Sequence, residues 1–157
     1  MNKILIRGPN WIGDAVLAIP AMKAVRARFP EAEITLLVRP WIAGLFASAS
    51  FVDKVWSEPQ PSGVGDWSRI TRDIRARRFD LALLLPNSFE SALMMFLGGI
   101  PRRVGYATDG RRWMLTKAIA PGDGKKHQVH YYLDLVKTLS AAGQPSIEIE
   151  ADDRERA

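Results

Sequence analysis

KILIRGPNWIGDAVL, residues 3–17, passes from a short apolar run through a loop bounded by Gly8 and Gly13 into a stretch with helical spacing. Ile4, Leu5 and Ile6 are apolar at consecutive positions, so a strand formed from them offers apolar side chains to both faces of its sheet. LALLL, residues 81–85, has the same character. Such strands need cover on both sides, and a parallel sheet between two helical layers supplies it. The stretch predicts an α/β domain: a doubly wound parallel sheet with helices on both faces.

Working outward, residues 3–7, 34–38, 52–56, 80–85 and 103–106 read as strands, and residues 14–28, 41–49, 66–78, 88–97 and 127–142 as helices. Pro20 lies inside the first helix and lacks a backbone donor, which predicts a kink or restart near Ile19. EPQPSGVGD at 58–66 and APGDGKK at 120–126 are loops by their Pro and Gly content. SIEIE at 146–150 alternates like a strand, and ADDRERA at 151–157 has only alanine to bury. One domain is expected over residues 1–146, with 147–157 the start of an interdomain linker or a tail.

The chain has 157 residues, enough to bury about 70% of the surface its unfolded form exposes. With no cysteine and two histidines, disulfides, thiol chemistry and thiolate metal sites are excluded. The most apolar stretch, 81–100, is interrupted by Pro86, Asn87, Ser88, Glu90 and Ser91, so no membrane span is expected, and the first residues read as a buried strand rather than a signal segment. The net charge of +5 is uneven: residues 102–126 hold seven Arg and Lys against two Asp, and residues 147–157 hold five acids against two Arg. The basic part suits an acidic partner, whether nucleic acid, an anionic membrane or a phosphorylated substrate.

Gly8 and Gly13 have the spacing of a phosphate-binding P-loop, but the lysine position holds Asp14 and the hydroxyl position Ala15. A carboxylate there repels a diphosphate. In the first turn of a helix it is either an N-cap or a base able to accept a proton from a hydroxyl as the oxygen forms its new bond. Trp11 either packs on a sugar face or plugs its own loop. In LPNSFESAL, Ser88 reads as the N-cap of the following helix, with Ser91 in the capping-box position, and Asn87 as either turn former or ligand contact. Arg102-Arg103 and Arg111-Arg112 flank a short strand and a glycine turn, either as ordinary surface charge or as forks for an anionic ligand. His127 and His130 are three apart but lack the further ligands of a zinc site. A dinucleotide fingerprint and a G-x-S-x-G elbow are both missing.

RGPNWIGDAVLAIPAMKAVRARFP at 7–30 and LLLPNSFESALMMFLGGIPRRVGY at 83–106 together resemble the lipopolysaccharide heptosyltransferases of glycosyltransferase family 9, and most closely their heptosyltransferase II group. The resemblance implies one half of a GT-B enzyme, in which two Rossmann-like domains face each other across a cleft, the first holding the acceptor and the second the nucleotide-sugar donor. This chain resembles the first half, with the C-terminal donor domain absent, and is expected to be inactive alone. The implied reaction is an inverting, metal-independent transfer of L-glycero-D-manno-heptose from ADP-heptose to the first heptose of the lipopolysaccharide inner core, without a cofactor. Asp14 would be the general base. Asn10, Trp11, Gly13, Asn87, Ser88, Arg111 and Arg112 are expected to bind the acceptor, the arginines meeting its phosphates and carboxylates. The implied partners are the inner-core acceptor, ADP-heptose through the absent domain, and an anionic membrane surface, with the protein cytoplasmic and peripheral at the inner-membrane face. Nucleic acid is not expected, because no RNA-recognition signature occurs and the aromatics are not interleaved with the basic clusters. The alternative is a non-catalytic binding module for anionic lipopolysaccharide or membrane.

Overall fold

The structure, a computed structural model, describes residues 2–122 and 127–139. In chain order the elements are β1 (Lys3–Arg7), α1 (Ile12–Leu17), α2 (Ile19–Arg28), β2 (Glu33–Val38), α3 (Pro40–Ala43), β3 (Lys54–Ser57), α4 (Val64–Arg77), β4 (Leu81–Leu84), α5 (Phe89–Leu97), β5 (Arg102–Tyr106), β6 (Lys117–Ile119) and α6 (Gln128–Lys137). The strands form a single parallel sheet in the order β3-β2-β1-β4-β5-β6, the arrangement of a doubly wound Rossmann-type domain.

Alternation along the strands divides the core in two. Ile4 and Ile6, with Ile34, Leu36, Leu81 and Leu83, meet α2, α6 and Ile42 of α3 on one face. Leu5, Leu37, Ala82 and Leu84 meet Ile70 and Ile74 of α4 and Ala92, Met94 and Met95 of α5 on the other. Ile4, Leu5 and Ile6 have no accessible surface, as consecutive apolar positions in a central parallel strand require.

Several boundaries differ from the sequence reading, each for a local reason. Helix 14–28 is broken at Ala18, because Pro20 falls in the first turn of α2 and has no N–H for the carbonyl a turn earlier. The helix expected over 41–49 is the single turn α3, followed by a 3-10 turn over Gly44–Phe46 that drives Phe46 into the core. In place of a strand over 52–56, pairing runs from Lys54 to Ser57. Strand β6, three residues with only Ile119 strongly apolar, escapes pattern reading altogether. Helix α6 starts at Gln128 with His127 as its N-cap, the imidazole Nδ1 accepting from Val129 N–H at 3.3 Å. The expected continuation of that helix to 142, the strand at 146–150, and both the end of the domain and the linker lie outside the described residues.

The amino end of the sheet is fastened by carboxylates. Asp80 accepts from the backbone N–H groups of Asn2 and Lys3, both at 2.9 Å, and Asp53 accepts from Ile34 N–H at 2.7 Å and pairs with Arg26. These backbone hydrogen bonds are the main reason both carboxyls sit below the usual aspartate range. A carboxyl depressed in the folded state contributes stability that is complete above its unfolded pKa and is lost as pH falls through the folded value. Thermal melts should therefore hold their midpoint down to about pH 4 and fall below it. Asp80→Asn should lower the midpoint at pH 7 and shrink the acid-side drop. Packing makes a second prediction. A Cβ on Gly98 would lie 2.5 Å from Ile74 Cγ2, a β-branched carbon with no room to swing away, so Gly98→Ala should cost about 1–3 kcal/mol in urea unfolding.

Candidate active site

In a sheet of this order the chain turns one way from β1 and the other way from β4, so a crevice opens above the carboxyl ends of these two neighbours. The loop 8–11 after β1 and the loop 85–88 after β4 form its walls. The structure thus brings Asn10, Trp11, Gly13 and Asp14 to one wall and Asn87 and Ser88 to the other.

On the first wall, Gly8 is needed for close approach: a Cβ there would lie 2.6 Å from Val38 Cγ1. Arg7 is buried at the end of β1, donating to Gly8 O at 2.6 Å and to Asn10 Oδ1 at 2.7 Å. Burial, then the neighbouring Arg39 charge, push its pKa down to about 9 against the opposing pull of Glu90. Arg39 itself donates to Glu90 Oε1 at 2.9 Å. Asn10 is fixed at a second point, its backbone carbonyl accepting from Trp41 Nε1 at 2.8 Å. Its amide NH2 has no partner among the described residues.

Helix α1 takes its N-cap geometry from the extended backbone of Trp11, with no side chain capping it. Asp14 is the third helical residue and lacks the capping bond its position suggested. Its carboxylate makes no hydrogen bond or ion pair among the described residues. Among the described residues nothing beyond its chain neighbours and its own helix lies within 4 Å of where a Gly13 Cβ would stand, so the space over Gly13 is open, and Asp14 next to it is half-buried. Trp11 is 70% exposed and does not plug its loop.

The second wall is held from below. Ser88 caps α5, its Oγ accepting from Ser91 N–H at 3.2 Å. Asn87 is exposed; its carbonyl accepts from Thr108 Oγ1 at 2.8 Å and its Oδ1 from the Tyr131 hydroxyl at 3.0 Å. Arg111, expected on the surface against an anionic ligand, has no accessible surface at all. The left-handed turn at Asp109 and Gly110 sends it inward, where Nε donates to Tyr106 O at 2.8 Å and Nη1 to Pro86 O at 2.8 Å, Ser88 O at 3.1 Å and Ser91 Oγ at 3.0 Å. Burial holds its pKa below the usual arginine value. It braces two loops from beneath and is not a direct acceptor contact. Arg112 is exposed, and its side chain has no hydrogen bond or ion pair among the described residues.

Helix α6 closes the crevice with two tyrosines that sequence reasoning missed. Tyr131 stacks on Tyr106, centroids 3.8 Å apart, while its hydroxyl reaches Asn87. Tyr132 is buried close enough to Asp14 to feel its charge. Burial, reinforced by Asp14 and opposed by a hydrogen bond with Gln128, pushes the Tyr132 phenol up to about 12. The signal available in the sequence was the Tyr-Tyr pair opening the last helix. No group of three or more metal-ligating side chains occurs among the described residues.

The two arginines predict opposite outcomes. Arg111→Ala empties a fully buried site and leaves the Pro86 carbonyl without its donor, while Tyr106 O keeps Thr108 N–H and Ser88 O keeps the Ser91 hydroxyl, so unfolding in urea should show a loss of about 2–5 kcal/mol. Arg112→Ala should stay within about 0.5 kcal/mol of wild type.

Residues 67–157 match the family model of glycosyltransferase family 9 (heptosyltransferase). Lipopolysaccharide heptosyltransferase 2 of Salmonella typhimurium is 34% identical over 119 residues, covering 74% of this chain and 34% of that protein. The protein of the same name in Escherichia coli is 34% identical over 116 residues, covering 72% and 33%. The solved structure of the E. coli ADP-heptose lps heptosyltransferase II superposes with a TM-score of 0.76 at 29% identity, over 91% of this chain and 44% of that one. The chain spans about a third of the length of these curated relatives. Its sheet and helices are those of one Rossmann-like half of a GT-B glycosyltransferase. Sequence and fold together place the chain in glycosyltransferase family 9, the heptosyltransferases.

Proposed function

We propose that this chain is the acceptor-binding half of an inverting heptosyltransferase, which moves L-glycero-D-manno-heptose from ADP-heptose to the inner-core heptose of lipopolysaccharide. The acceptor half covers residues 1–146, residues 147–157 begin the linker or form a tail, and the donor is held by a C-terminal domain of the complete protein. The enzyme works at the cytoplasmic face of the inner membrane. The observation that carries the reading is Asp14: a carboxylate without a hydrogen bond or ion pair among the described residues, at the switch-point crevice, beside open space over Gly13.

In this reaction an acceptor hydroxyl attacks the anomeric carbon of the donor from the face opposite the diphosphate. As the new C–O bond forms, Asp14 takes the hydroxyl proton and the bond to ADP breaks, inverting the centre. The proton moves in concert with bond formation, because removing it from an alcohol beforehand is far too uphill. The inverted P-loop fits that role, since negative charge at the start of α1 turns a diphosphate away and attracts a hydroxyl hydrogen. Asn10 and Trp11 on one wall and Asn87 and Ser88 on the other offer polar and aromatic contacts to a sugar between them. Gly13 leaves it room, and Arg112 offers the acceptor's anionic groups a charge.

Transfer assays with ADP-heptose and a heptosyl-Kdo-lipid A acceptor test the reading. The chain alone should give no turnover, and mixing it with a separately expressed donor domain should restore it. In the two-domain protein, Asp14→Asn should lose about 100- to 10,000-fold in turnover. Because Asp14 caps nothing, both Asp14→Asn and Asp14→Ala should remain within about 1 kcal/mol of wild-type stability, the helix-dipole contribution. Near-normal turnover in the Asn variant would remove Asp14 from the chemistry.

A further inference from the structure

Helix α5 leads away from the Ser88 end of the crevice and carries an apolar stripe that its sheet does not use. Ala92, Met94 and Met95 are buried, whereas Phe89, Phe96 and Leu97 are 41%, 39% and 41% exposed. The chain after the Gly110 turn brings Trp113, 62% exposed, onto the same stripe. Its ring centroid lies 5.5 Å from that of Phe96 and 6.5 Å from that of Phe89. Two rings from α5 and one from the 112–114 turn thus form one outward patch.

The rim of this patch is basic. The Arg103 guanidinium lies over the Phe96 ring, 5.2 Å from its centroid. Arg75 donates to Leu97 O at 2.7 Å and is otherwise exposed, and Arg112 adjoins Trp113 with no partner among the described residues. Asp109 is the one acid between residues 91 and 122. Glu90, beside Phe89, is turned to Arg39. Arg103 is half-buried and held by Met114 O and Ile100 O, both at 2.5 Å, which leaves Arg112 as the freest cation of the rim. Exposed aromatics beside arginines that have no acidic partner among the described residues match the water–headgroup boundary of an anionic bilayer, where rings sit at headgroup level and exposed cations meet lipid charge. A continuous surface of one sign suits such a rim better than the mixed charges of a protein partner.

We infer that the patch of Phe89, Phe96, Leu97 and Trp113, with Arg103 and Arg112 at its rim, is a docking surface for an anionic lipid bilayer. The contact is superficial, since among the described residues no helix is long and apolar enough to cross a membrane. Phe89 follows Ser88 directly, so docking brings the crevice next to the lipid surface, where a lipid-linked acceptor presents its sugars. The inference rests on the proposed function only for the identity of that acceptor.

The test is co-sedimentation of the 157-residue chain with vesicles of phosphatidylethanolamine and phosphatidylglycerol, against vesicles of phosphatidylcholine alone. Wild type should pellet with the anionic vesicles and weaken with salt. Arg112→Glu should reduce partitioning about tenfold or more. Phe96→Ala with Trp113→Ala should reduce it comparably, circular dichroism serving to verify the fold. Leu45→Ser, in the exposed apolar group around α3, should bind as wild type does. Undiminished binding by both patch variants would overturn the inference, as would loss in Leu45→Ser. Sensitivity to Arg112→Glu alone would also overturn it, reducing the patch to a simple anion contact. In the two-domain protein, transfer to a water-soluble deacylated acceptor should be unchanged by Trp113→Ala, so a failure of lipid docking and a failure of heptosyl transfer are separately visible.

Discussion

The molecule depends on the burial of three consecutive residues, Ile4, Leu5 and Ile6, in a strand hydrogen-bonded on both sides. A strand apolar on both faces has to be central and has to be covered by helices above and below. Once β1 is central, β2 and β3 extend the sheet one way and β4, β5 and β6 the other. The gap between the departing loops is a consequence of that divergence, and the crevice lies over the most buried residues of the chain. The amino edge of the sheet is fastened by Asp53 and Asp80, which leaves the carboxyl edge for polar loops.

Much of this was legible because it follows from local composition. Apolar runs at 3–7 and 81–85, Pro20 as a break and Ser88 as a cap each act through their own backbone or nearest neighbours, and each appears where the pattern put it. What resisted reading depends on distant partners. Strand β6 exists because Gly105 and its neighbours offer it an edge, and α3 shortens because Phe46 finds a core to enter. Tyr131 and Tyr132 belong to the crevice only because α6 folds back over α1 and the loop at Asn87.

Charge was the least reliable guide. Arg111 and Arg112 are adjacent in sequence and equal in composition, yet one has no accessible surface and the other stands in solvent. The difference comes from the two left-handed residues before them, Asp109 and Gly110, which choose the direction of the chain. Arg7 and Arg39, ordinary strand-end arginines by pattern, prove to be internal struts. A basic sequence segment therefore reports the number of cations and not how many a partner can touch. Conversely, Phe89, Phe96 and Trp113, too scattered to register as a group, become one surface once α5 and the 112–114 turn are packed together.

The bracing of the second wall has a further consequence. One guanidinium holds the carbonyls of Pro86, Ser88 and Tyr106, so the two loops that carry them behave as a single stiff body. The opposite wall presents Trp11, Ile12 and Val16 outward, with no polar ties on their side chains among the described residues. The crevice is in this sense a fixed jaw facing one that is tied at Asn10 and adjustable only along its exposed rim. An engineer seeking altered acceptor choice should diversify the exposed positions of the adjustable side, Trp11, Ile12 and Val16, and leave Asp14 and the buried Ala15 alone. Changes at 86–88 would disturb the foundation on which the fixed jaw is set.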